Sequence, residues 1–491
     1  MNYYTIRLTF LFCSMGLFAA KGLRAQQSKP DSHKLNVVFI LADDLGWKDL
    51  GCYGSSFYET PNIDALAKDG MRFTRAYAAC EVCSPTRASI LTGKYPVRTG
   101  VTDVINEKGI REPEKWKRNT PLLPAPYELH LPLHEFTLAE AMKKAGYVTY
   151  IAGKWHLGPE GYWPEDQGFD INMGGWSAGQ PSSYFSPYHN PKLPDGPKGE
   201  YLPERLSRET VDFIKRHTDT PFFIYRSLYL VHTPLRAKKE LIEKYEQKKK
   251  RLGLQDEFGH EGKNRVRLNQ CKPVYAAMVE AMDDAVGEIV KTLKEEGLYD
   301  HTLIIFTSDN GGLSTSEGLP TSNLPLRGGK GWIYEGGIRV PLIIRLPGVT
   351  KPGSVSKAMI ASPDFYPTIL NIVRQPLIPS QHLDGMSMLP VLKGKQGKQR
   401  TFIFWHYPHY SNQGGAPASC IMKGNWKLIK WYGLSKNRYA LYNVKKDIGE
   451  KNDLSSRYPK KTAGMKAKLD AFLKSVSAKY PTPNPNFKGD H

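Results

Sequence analysis

Four short runs of apolar residues recur along the chain, at 35–42, 147–152, 221–228 and 302–308. A continuous apolar run of this length is typical of a strand that is buried on both faces, as strands are in a parallel sheet. Stretches with helical periodicity alternate with these runs, at 60–70, 137–144, 202–217 and 276–296. The alternation predicts an α/β fold with a large, mostly parallel sheet flanked by helices.

Polar side chains follow each of the four runs. They are Asp43 and Asp44, Lys154 and His156, His232, and Asp309 and Asn310. In open α/β sheets the carboxyl ends of the strands form the ligand-binding edge, so we expect these side chains to lie close together. Asp43, Asp44, Asp309 and Asn310 form an all-oxygen set, which suits Ca²⁺ or Mg²⁺ and not zinc. Asp and Asn pairs are common in loops, so this prediction depends on their position after buried strands.

The stretch from Cys83 to Gly93 reads Cys-Ser-Pro-Thr-Arg-Ala-Ser-Ile-Leu-Thr-Gly. Proline is favoured at the start of a helix, so we expect a helix that begins near Pro85 and carries Arg87 in its first turn. The N-terminus of such a helix attracts anions. Taken alone, Cys83 could equally be a small buried thiol, or could form a CxxC redox pair with Cys80.

The longer pattern Cys83-x-Pro85-Thr86-Arg87-x-x-x-Leu91-Thr92-Gly93 resembles the signature of the formylglycine-dependent type I sulfatases of the alkaline phosphatase superfamily. Gly153-Lys154-x-His156 resembles the second signature of that family, and the resemblance extends from about residue 35 to residue 455. It implies an alkaline-phosphatase-like fold, with a smaller C-terminal subdomain of antiparallel sheet and helix.

The resemblance also implies a mechanism. A maturation enzyme oxidises the cysteine to formylglycine (3-oxoalanine), and one hydroxyl of its hydrate attacks the sulfur atom. A metal ion, Ca²⁺ rather than Mg²⁺, is held by Asp43, Asp44, Asp309, Asn310 and residue 83. In the family, basic residues play the remaining roles. By this resemblance Arg87, Lys154 and Lys330 neutralise negative charge, and His232 with Lys330 protonates the leaving alcohol. His156 removes a proton from the hydrate.

The pattern changes near residue 400. Short runs at 402–405, 418–421, 426–431 and 437–444 predict strands, and 458–480 predicts a terminal helix. These segments predict an N-terminal catalytic domain over 34–395 and a C-terminal α+β subdomain over 400–485.

A segment rich in His, Tyr and Gly, 402–416, contains the first of these strands and continues beyond it. Within it, the stretch from Trp405 to Gly415 resembles one found in exported bacterial sulfatases that act on sulfated galactose or N-acetylgalactosamine. We therefore expect His406, His409 and Asn412 to bind the sugar. Alternatively, the segment only packs the two domains together, and the loops at 102–133 and 159–200 bind the sugar.

The first 25 residues have a charged start, an apolar run from Leu8 to Ala20 and a small residue, Ala25, at a plausible cleavage point. This pattern predicts a signal peptide and a protein exported to the periplasm or beyond. No later run is long enough to predict a membrane span. Among the remaining cysteines, a disulfide is possible, and Cys52 with Cys80 is the pair we consider.

The formal net charge of +20 favours an anionic ligand or a lysine-rich solvated surface. No nucleic-acid module is recognisable, so the preferred substrate is a sulfated carbohydrate. Two alternatives stay open: a phosphonate or phosphate diester hydrolase of the same superfamily, and a non-catalytic protein that binds sulfated glycans.

Overall fold

The structure is a computed structural model and describes Met1, residues 34–395 and residues 400–489. The predicted signal peptide therefore lies, apart from Met1, outside the described residues. Within them the strands are β1 (Asn36–Ala42), β2 (Met71–Tyr77), β3 (Leu122–Leu123), β4 (Val148–Gly153), β5 (Ile171–Met173), β6 (Phe222–Ser227), β7 (Phe258–Glu261), β8 (Asn264–Arg267), β9 (Thr302–Ser308), β10 (Arg339–Arg345), β11 (Ser354–Ser356), β12 (Ile360–Ala361), β13 (Phe402–Tyr407), β14 (Ala418–Lys423), β15 (Trp426–Trp431), β16 (Arg438–Asn443) and β17 (Thr482–Pro483).

The helices of the described residues alternate with these strands in the first three quarters of the chain. They are α1 (Pro61–Asp69), α2 (Cys83–Thr92), α3 (Pro96–Thr99), α4 (Leu138–Lys144), α5 (Leu202–Arg216), α6 (Lys239–Arg251), α7 (Pro273–Glu295), α8 (Glu335–Ile338), α9 (Phe365–Ile372), α10 (Leu389–Leu392) and α11 (Pro459–Ser475).

The large sheet has the strand order β11-β2-β10-β9-β1-β6-β4-β5, with β12 paired to β2. Its centre is parallel, because β1 pairs in parallel with β6 and β9, and β4 pairs in parallel with β6 and β5. The strand β10 runs antiparallel to both β9 and β2. The predicted fold class is confirmed.

Strand β1 shows why an apolar run becomes a central strand. All seven of its residues are buried. Because side chains alternate across a strand, Val38 and Ile40 pack into the core beneath α1, α5 and α7, and Val37 and Phe39 pack into the core beneath α2, α4 and α9. Burial of each such side chain stabilises the fold by roughly 1.5–3 kcal/mol.

The C-terminal sheet has the order β13-β14-β15-β16, and its neighbouring strands are antiparallel. One face packs against α11 through Ile421, Leu428 and Leu469. The other packs against the large domain, where Trp405 meets Tyr77 at a centroid distance of 5.8 Å. The structure thus contains a separate C-terminal sheet, and the domain boundaries at 395 and 400 stay a prediction.

Several local expectations differ from the structure. Helix α2 begins at Cys83, two residues before Pro85, because Val82 already supplies the extended residue that precedes a helix. The helical periodicity at 60–70 would make Thr60 the cap of α1, but its side chain makes no capping bond and its hydroxyl accepts from the Gly51 N–H at 2.8 Å. All five described cysteines are free, so the suggested Cys52–Cys80 disulfide and the Cys80–Cys83 redox pair are absent from the described structure. No described helix is long and apolar enough to cross a membrane.

Candidate active site

The register of the parallel strands brings the predicted polar residues together. Ala42 at the end of β1 lies beside Ser308 at the end of β9, so the residues that follow both strands are neighbours. The Asp44 N–H accordingly donates to Asp309 Oδ1 at 3.2 Å. Gly153 at the end of β4 lies beside Ser227 at the end of β6 in the same way. The site therefore forms at the carboxyl edge of the sheet, as expected.

Three buried carboxylates at this edge each contact a buried cation. Lys154 Nζ lies 3.0 and 2.9 Å from the two Asp43 oxygens. Arg87 Nε donates to Asp309 Oδ2 at 2.9 Å. Lys330 Nζ donates to Asp44 Oδ2 at 2.8 Å. Opposite charges that neutralise one another are the usual condition for burying so many ionised groups.

The carboxylates nevertheless differ in their electrostatics. Burial raises the pKa of Asp43 well above its usual value, and Lys154 only partly opposes this. Burial would also raise the pKa of Asp44, but Lys330 and His232 together lower it below its ordinary value. Because burial disfavours ionised carboxylates, a further positive charge at this site would stabilise them.

The chemistry of these donors fits a hard divalent cation. Asp43, Asp44 and His232 each place one ligand atom within 4.8 Å of the others. Asn310 Oδ1 is buried and has no hydrogen-bond partner, while its Nδ2 donates to Asp44 Oδ1 at 2.8 Å. A buried amide oxygen without a partner is costly unless it has a ligand. The oxygens of Asp43, Asp44, Asp309 and Asn310 could hold Ca²⁺ or Mg²⁺.

His232 is not a good further ligand for this cation, because both of its ring nitrogens are engaged in hydrogen bonds. Nδ1 lies 2.7 Å from the Thr233 carbonyl, to which it donates, so Nε2 accepts from Lys330 Nζ at 2.9 Å. Burial and the Lys330 charge lower the pKa of His232 to about 3. Asp44 raises the pKa of Lys330 despite burial. In this pair Lys330 is therefore protonated and His232 is neutral.

Cys83 lies buried at the first position of α2, and its Sγ is 3.4 Å from His156 Nδ1. His156 Nε2 donates to the Ile105 carbonyl at 3.0 Å, which leaves Nδ1 as a proton acceptor that faces residue 83. Burial, reinforced by Lys154, lowers the pKa of His156 well below its usual value, so the ring is neutral. This geometry equips His156 to accept a proton from a group on residue 83.

Two of these side chains sit on strained backbone. Asp44 has a φ of 60° and His156 a φ of 61°, in the left-handed region that residues other than glycine rarely adopt. Such conformations cost roughly 1–3 kcal/mol and persist where the surrounding structure enforces them, often at functional sites. Gly179 packs on the His156 ring so closely that a Cβ atom there would lie 2.4 Å from it.

A cavity of about 650 Å³ opens above Cys83. Among the described residues, its wall comes from the loops at 104–111 and 176–180, and from His232, Glu317, Lys330, Asn412 and Gln413. The structure thus brings Asn412 to the cavity together with Cys83, His156, His232 and Lys330. The buried cations Arg87 and Lys154 lie beneath its floor, together with the carboxylates of Asp43, Asp44 and Asp309.

The structure does not bring His406 or His409 to this wall. The run predicted as 402–405 continues as strand to Tyr407, so His406 lies inside β13, opposite Ser419. Its Nε2 donates to the Lys479 carbonyl at 2.8 Å and its Nδ1 lies 2.7 Å from Ser419 Oγ, so neither nitrogen is free to bind a substrate. His409 is buried behind the wall, with Nε2 2.9 Å from Thr102 Oγ1 and its ring edge-on to Tyr127. Both histidines join segments of the fold, which is the alternative considered for 402–416.

Several residues of the site carry no recognisable sequence signal. Ser227 Oγ accepts from Arg87 at 2.6 Å and helps to fix that guanidinium. Arg111 lines the cavity and pairs with Asp103 at 2.8 Å. Glu317 and Gln413 also line it. Only the length of the loops at 102–133 and 159–200 indicated that part of the wall would come from them.

Comparison with known proteins decides the family. A model of the sulfatase family matches residues 35–375, and a model of the C-terminal region of N-sulphoglucosamine sulphohydrolase matches residues 329–479. The chain belongs to the sulfatase family. A sulfatase of Formosa agariphila is 31% identical to it over an alignment of length 531, gaps included, which covers 94% of this chain and 92% of that protein.

This sulfatase is also 32% identical over 423 residues to the N-acetylgalactosamine-6-sulfatase of Mus musculus, covering 81% of this chain and 72% of that protein. Among solved structures, the crystal structure of Ps i-CgsB in complex with k-i-k-neocarrahexaose matches with a TM-score of 0.73 at 28% identity. That match covers 89% of this chain and 92% of the other. The predicted family and enzyme class, a sulfuric ester hydrolase, are confirmed.

Proposed function

We propose that this sulfatase removes an O-sulfate group from a sulfated carbohydrate, with formylglycine at position 83 as the nucleophile precursor and with bound Ca²⁺. The observation that carries the proposal is the position of Cys83, on the floor of a cavity and within 3.4 Å of the neutral His156. A galactose or N-acetylgalactosamine sulfate is the proposed substrate. The names of the Mus musculus relative and of the Ps i-CgsB complex support a sulfated sugar.

The environment of Cys83 argues against a thiolate nucleophile. Burial raises the pKa of the thiol above its ordinary value, and Lys154 and Lys330 only partly oppose this. A thiol that stays protonated at neutral pH is a poor nucleophile. The hydrate of formylglycine needs no thiolate, because one of its hydroxyl groups can attack sulfur as it gives its proton to Asp309, whose charge acts on residue 83. The other hydroxyl is then within reach of His156.

Positive charges around position 83 would stabilise the negative charge of the sulfate group. Arg87 and Lys154 stand beneath the reacting group and can neutralise the negative charge of the sulfuryl oxygens. When bound by Asp43, Asp44, Asp309 and Asn310, Ca²⁺ would supply further positive charge that stabilises these oxygens and the nucleophile. Mg²⁺ is the less favoured alternative.

The leaving alcohol must gain a proton. The protonated Lys330 Nζ lies 2.9 Å from His232 Nε2, and both side chains line the cavity. We infer that this pair protonates the alcohol as the sulfur–oxygen bond breaks. His156 then accepts the proton of the second hydroxyl, which releases sulfate and restores the aldehyde.

The substrate test separates the proposed reaction from its alternatives. Purified enzyme would be assayed with 4-nitrophenyl sulfate, bis(4-nitrophenyl) phosphate, galactose 6-sulfate and N-acetylgalactosamine 4- and 6-sulfates. We expect turnover of sulfate esters and of at least one sugar sulfate. Preferential turnover of the phosphate diester would contradict the proposal, and binding of sugar sulfates without turnover would indicate a glycan-binding protein.

The nucleophile test uses peptide mass spectrometry of active enzyme produced with a formylglycine-generating maturation enzyme. We expect the peptide that contains residue 83 to carry an aldehyde in place of the thiol. Cys83→Ala should lower turnover by about a thousandfold or more, since removal of a nucleophile has effects of this size. Cys271→Ser, remote from the cavity, is the control, and a fully active Cys83→Ala variant would refute the assignment.

The proposed location is the periplasm or the extracellular space, after removal of residues 1–25. Expression of the full chain in a bacterial host, followed by N-terminal sequencing of the periplasmic fraction, would check this. A cytoplasmic product that retains Met1 would contradict export.

A further inference from the structure

A carboxylate at the rim of the cavity has no place in the chemistry described so far. Glu317 lines the cavity and is exposed to it, on the same side as His232 and Lys330. A negative charge beside a site for anionic sulfate esters weakens substrate binding through repulsion. Its presence there requires a compensating interaction with the substrate or with the protein.

Contacts within the protein hold this carboxylate in place and leave it accessible. Gln413 Nε2 donates to Glu317 Oε1 at 2.7 Å, and Thr233 Oγ1 donates to Glu317 Oε2 at 3.1 Å. Each carboxylate oxygen can accept a further hydrogen bond. The backbone of Glu317 has a φ of 50°, which is strained for a residue other than glycine.

The residue that orients Glu317 is itself fixed from three directions. The backbone carbonyl of Gln413 accepts from Asn264 Nδ2 at 2.8 Å, from Thr315 Oγ1 at 2.9 Å and from Trp332 Nε1 at 2.9 Å. These donors come from the β7–β8 hairpin and from two segments that follow β9. A group held by such a supporting shell has the fixed geometry that specific recognition needs.

Thr233 follows His232, so the Glu317 carboxylate lies next to the group that would protonate the leaving alcohol. The sugar ring carrying that alcohol must therefore pass close to Glu317. A fixed carboxylate with free lone pairs accepts hydrogen bonds from ring hydroxyls, and it repels a second sulfate or a carboxylate at the same ring positions.

From these contacts we propose that Glu317 is a specificity-determining residue that binds free hydroxyls on the sulfated ring and rejects a second anionic group beside the scissile sulfate. The substrate class is then a sugar unit with one sulfate and free hydroxyls on the Glu317 side. This inference rests on the proposed function.

Glu317→Gln is the test, because the amide keeps the shape of the side chain and can still contact Gln413 and Thr233. Values of kcat/KM would be measured for 4-nitrophenyl sulfate, which has no ring hydroxyls, for N-acetylgalactosamine 4- and 6-sulfates and galactose 6-sulfate, and for N-acetylgalactosamine 4,6-disulfate. Glu114→Gln is the matched control, since it removes one exposed carboxylate from outside the cavity wall.

In Glu317→Gln we expect the ratio of sugar monosulfate to aryl sulfate kcat/KM to fall about tenfold or more, as for loss of hydrogen bonds to a charged group. The ratio of monosulfate to disulfate turnover should fall as well, and Glu114→Gln should keep both ratios within about twofold. If wild type hydrolyses sugar sulfates and both ratios are unchanged in Glu317→Gln, this inference is wrong and the proposed function stands. If wild type hydrolyses no sulfate ester, the proposed function itself has failed.

Discussion

At the scale of single residues, the site is a set of buried charges that the fold neutralises in pairs. Lys154 and Asp43 are both fully buried, and so are Arg87 and Asp309. Pairs of this kind contribute little net stability, because desolvation offsets their attraction. Their arrangement is better explained by function, since Arg87 and Lys154 are fixed near Cys83 and Lys330 lines the cavity above it.

Metal binding gives the first prediction at this scale. Asn310 would supply the one neutral oxygen of the proposed ligand set, and that buried oxygen has no hydrogen-bond partner. We expect added Ca²⁺ to raise the thermal unfolding temperature of wild type, because a ligand that binds only the folded state stabilises it. Asn310→Ala should weaken that Ca²⁺ dependence by about tenfold or more in concentration, whereas Asn172→Ala, in the half-buried strand β5, should not.

Thermal unfolding across a Ca²⁺ titration after chelator treatment measures this without any assay of turnover. Activity should disappear with the chelator and return with Ca²⁺. A protein that responds only to Zn²⁺ would contradict the all-oxygen ligand set.

At the scale of elements, β13 and the segment after it serve two purposes. The strand itself is structural: His406 joins β14 through Ser419 and the C-terminal region through Lys479. The residues beyond it reach the cavity through Asn412 and Gln413. The prediction that 402–416 binds the sugar therefore rests on the end of the segment rather than on its histidines.

The buried His406 should make the free energy of unfolding depend on pH. Burial lowers its pKa to about 4, compared with about 6.5 for an unfolded histidine. Between these values the unfolded chain binds the proton more strongly, so the free energy of unfolding falls as the pH is lowered from about 6.5 to about 4. The contribution of His406 to this loss is about 3 kcal/mol, from 1.36 kcal/mol per pKa unit.

We expect His406→Gln to be less stable than wild type at pH 8, because two hydrogen bonds are disturbed, but to lose less stability between pH 6.5 and 4. Chemical denaturation at several pH values measures this, with the exposed His301→Gln as control. An unchanged pH slope in His406→Gln would contradict a neutral, buried imidazole.

At the scale of the whole molecule, a buried ionic network joins the two sheets. Lys427 on β15 lies 3.3 Å from Glu335 on α8 and 2.9 Å from Glu450, and all three side chains are fully buried. Glu335 Oε2 also accepts from Tyr77 on β2 at 3.2 Å. The C-terminal sheet is therefore attached to the large sheet by charge as well as by apolar packing.

Lys427→Ala should lower the free energy of unfolding by about 3–5 kcal/mol, because it leaves the buried Glu450 without a cation and Glu335 with only Arg339, at 3.5 Å. Lys430, on the same strand, pairs at 3.0 Å with the partly exposed Asp470. Lys430→Ala is the matched control and should cost about 1 kcal/mol or less. Equal losses for both variants, measured by chemical denaturation, would show that the network does not hold the sheets together.

The sequence by itself determined the elements and the chemistry at the strand ends. Apolar runs such as 302–308 predict buried strands because burial and periodicity are local properties of the chain. The residues that follow such strands must meet at one edge once the sheet is parallel, so Asp43 and Asp309 could be placed together in advance. The signature beginning at Cys83 then indicated the family.

Only the tertiary structure decided which side chains form the cavity wall. Continuation of β13 to Tyr407 places His406 in the strand, opposite Ser419, and not in a loop. Glu317 and Gln413 meet although 96 residues separate them. Neither outcome follows from composition or spacing, because strand ends and loop paths depend on contacts between distant parts of the chain, and those contacts exist only after the sheets have packed.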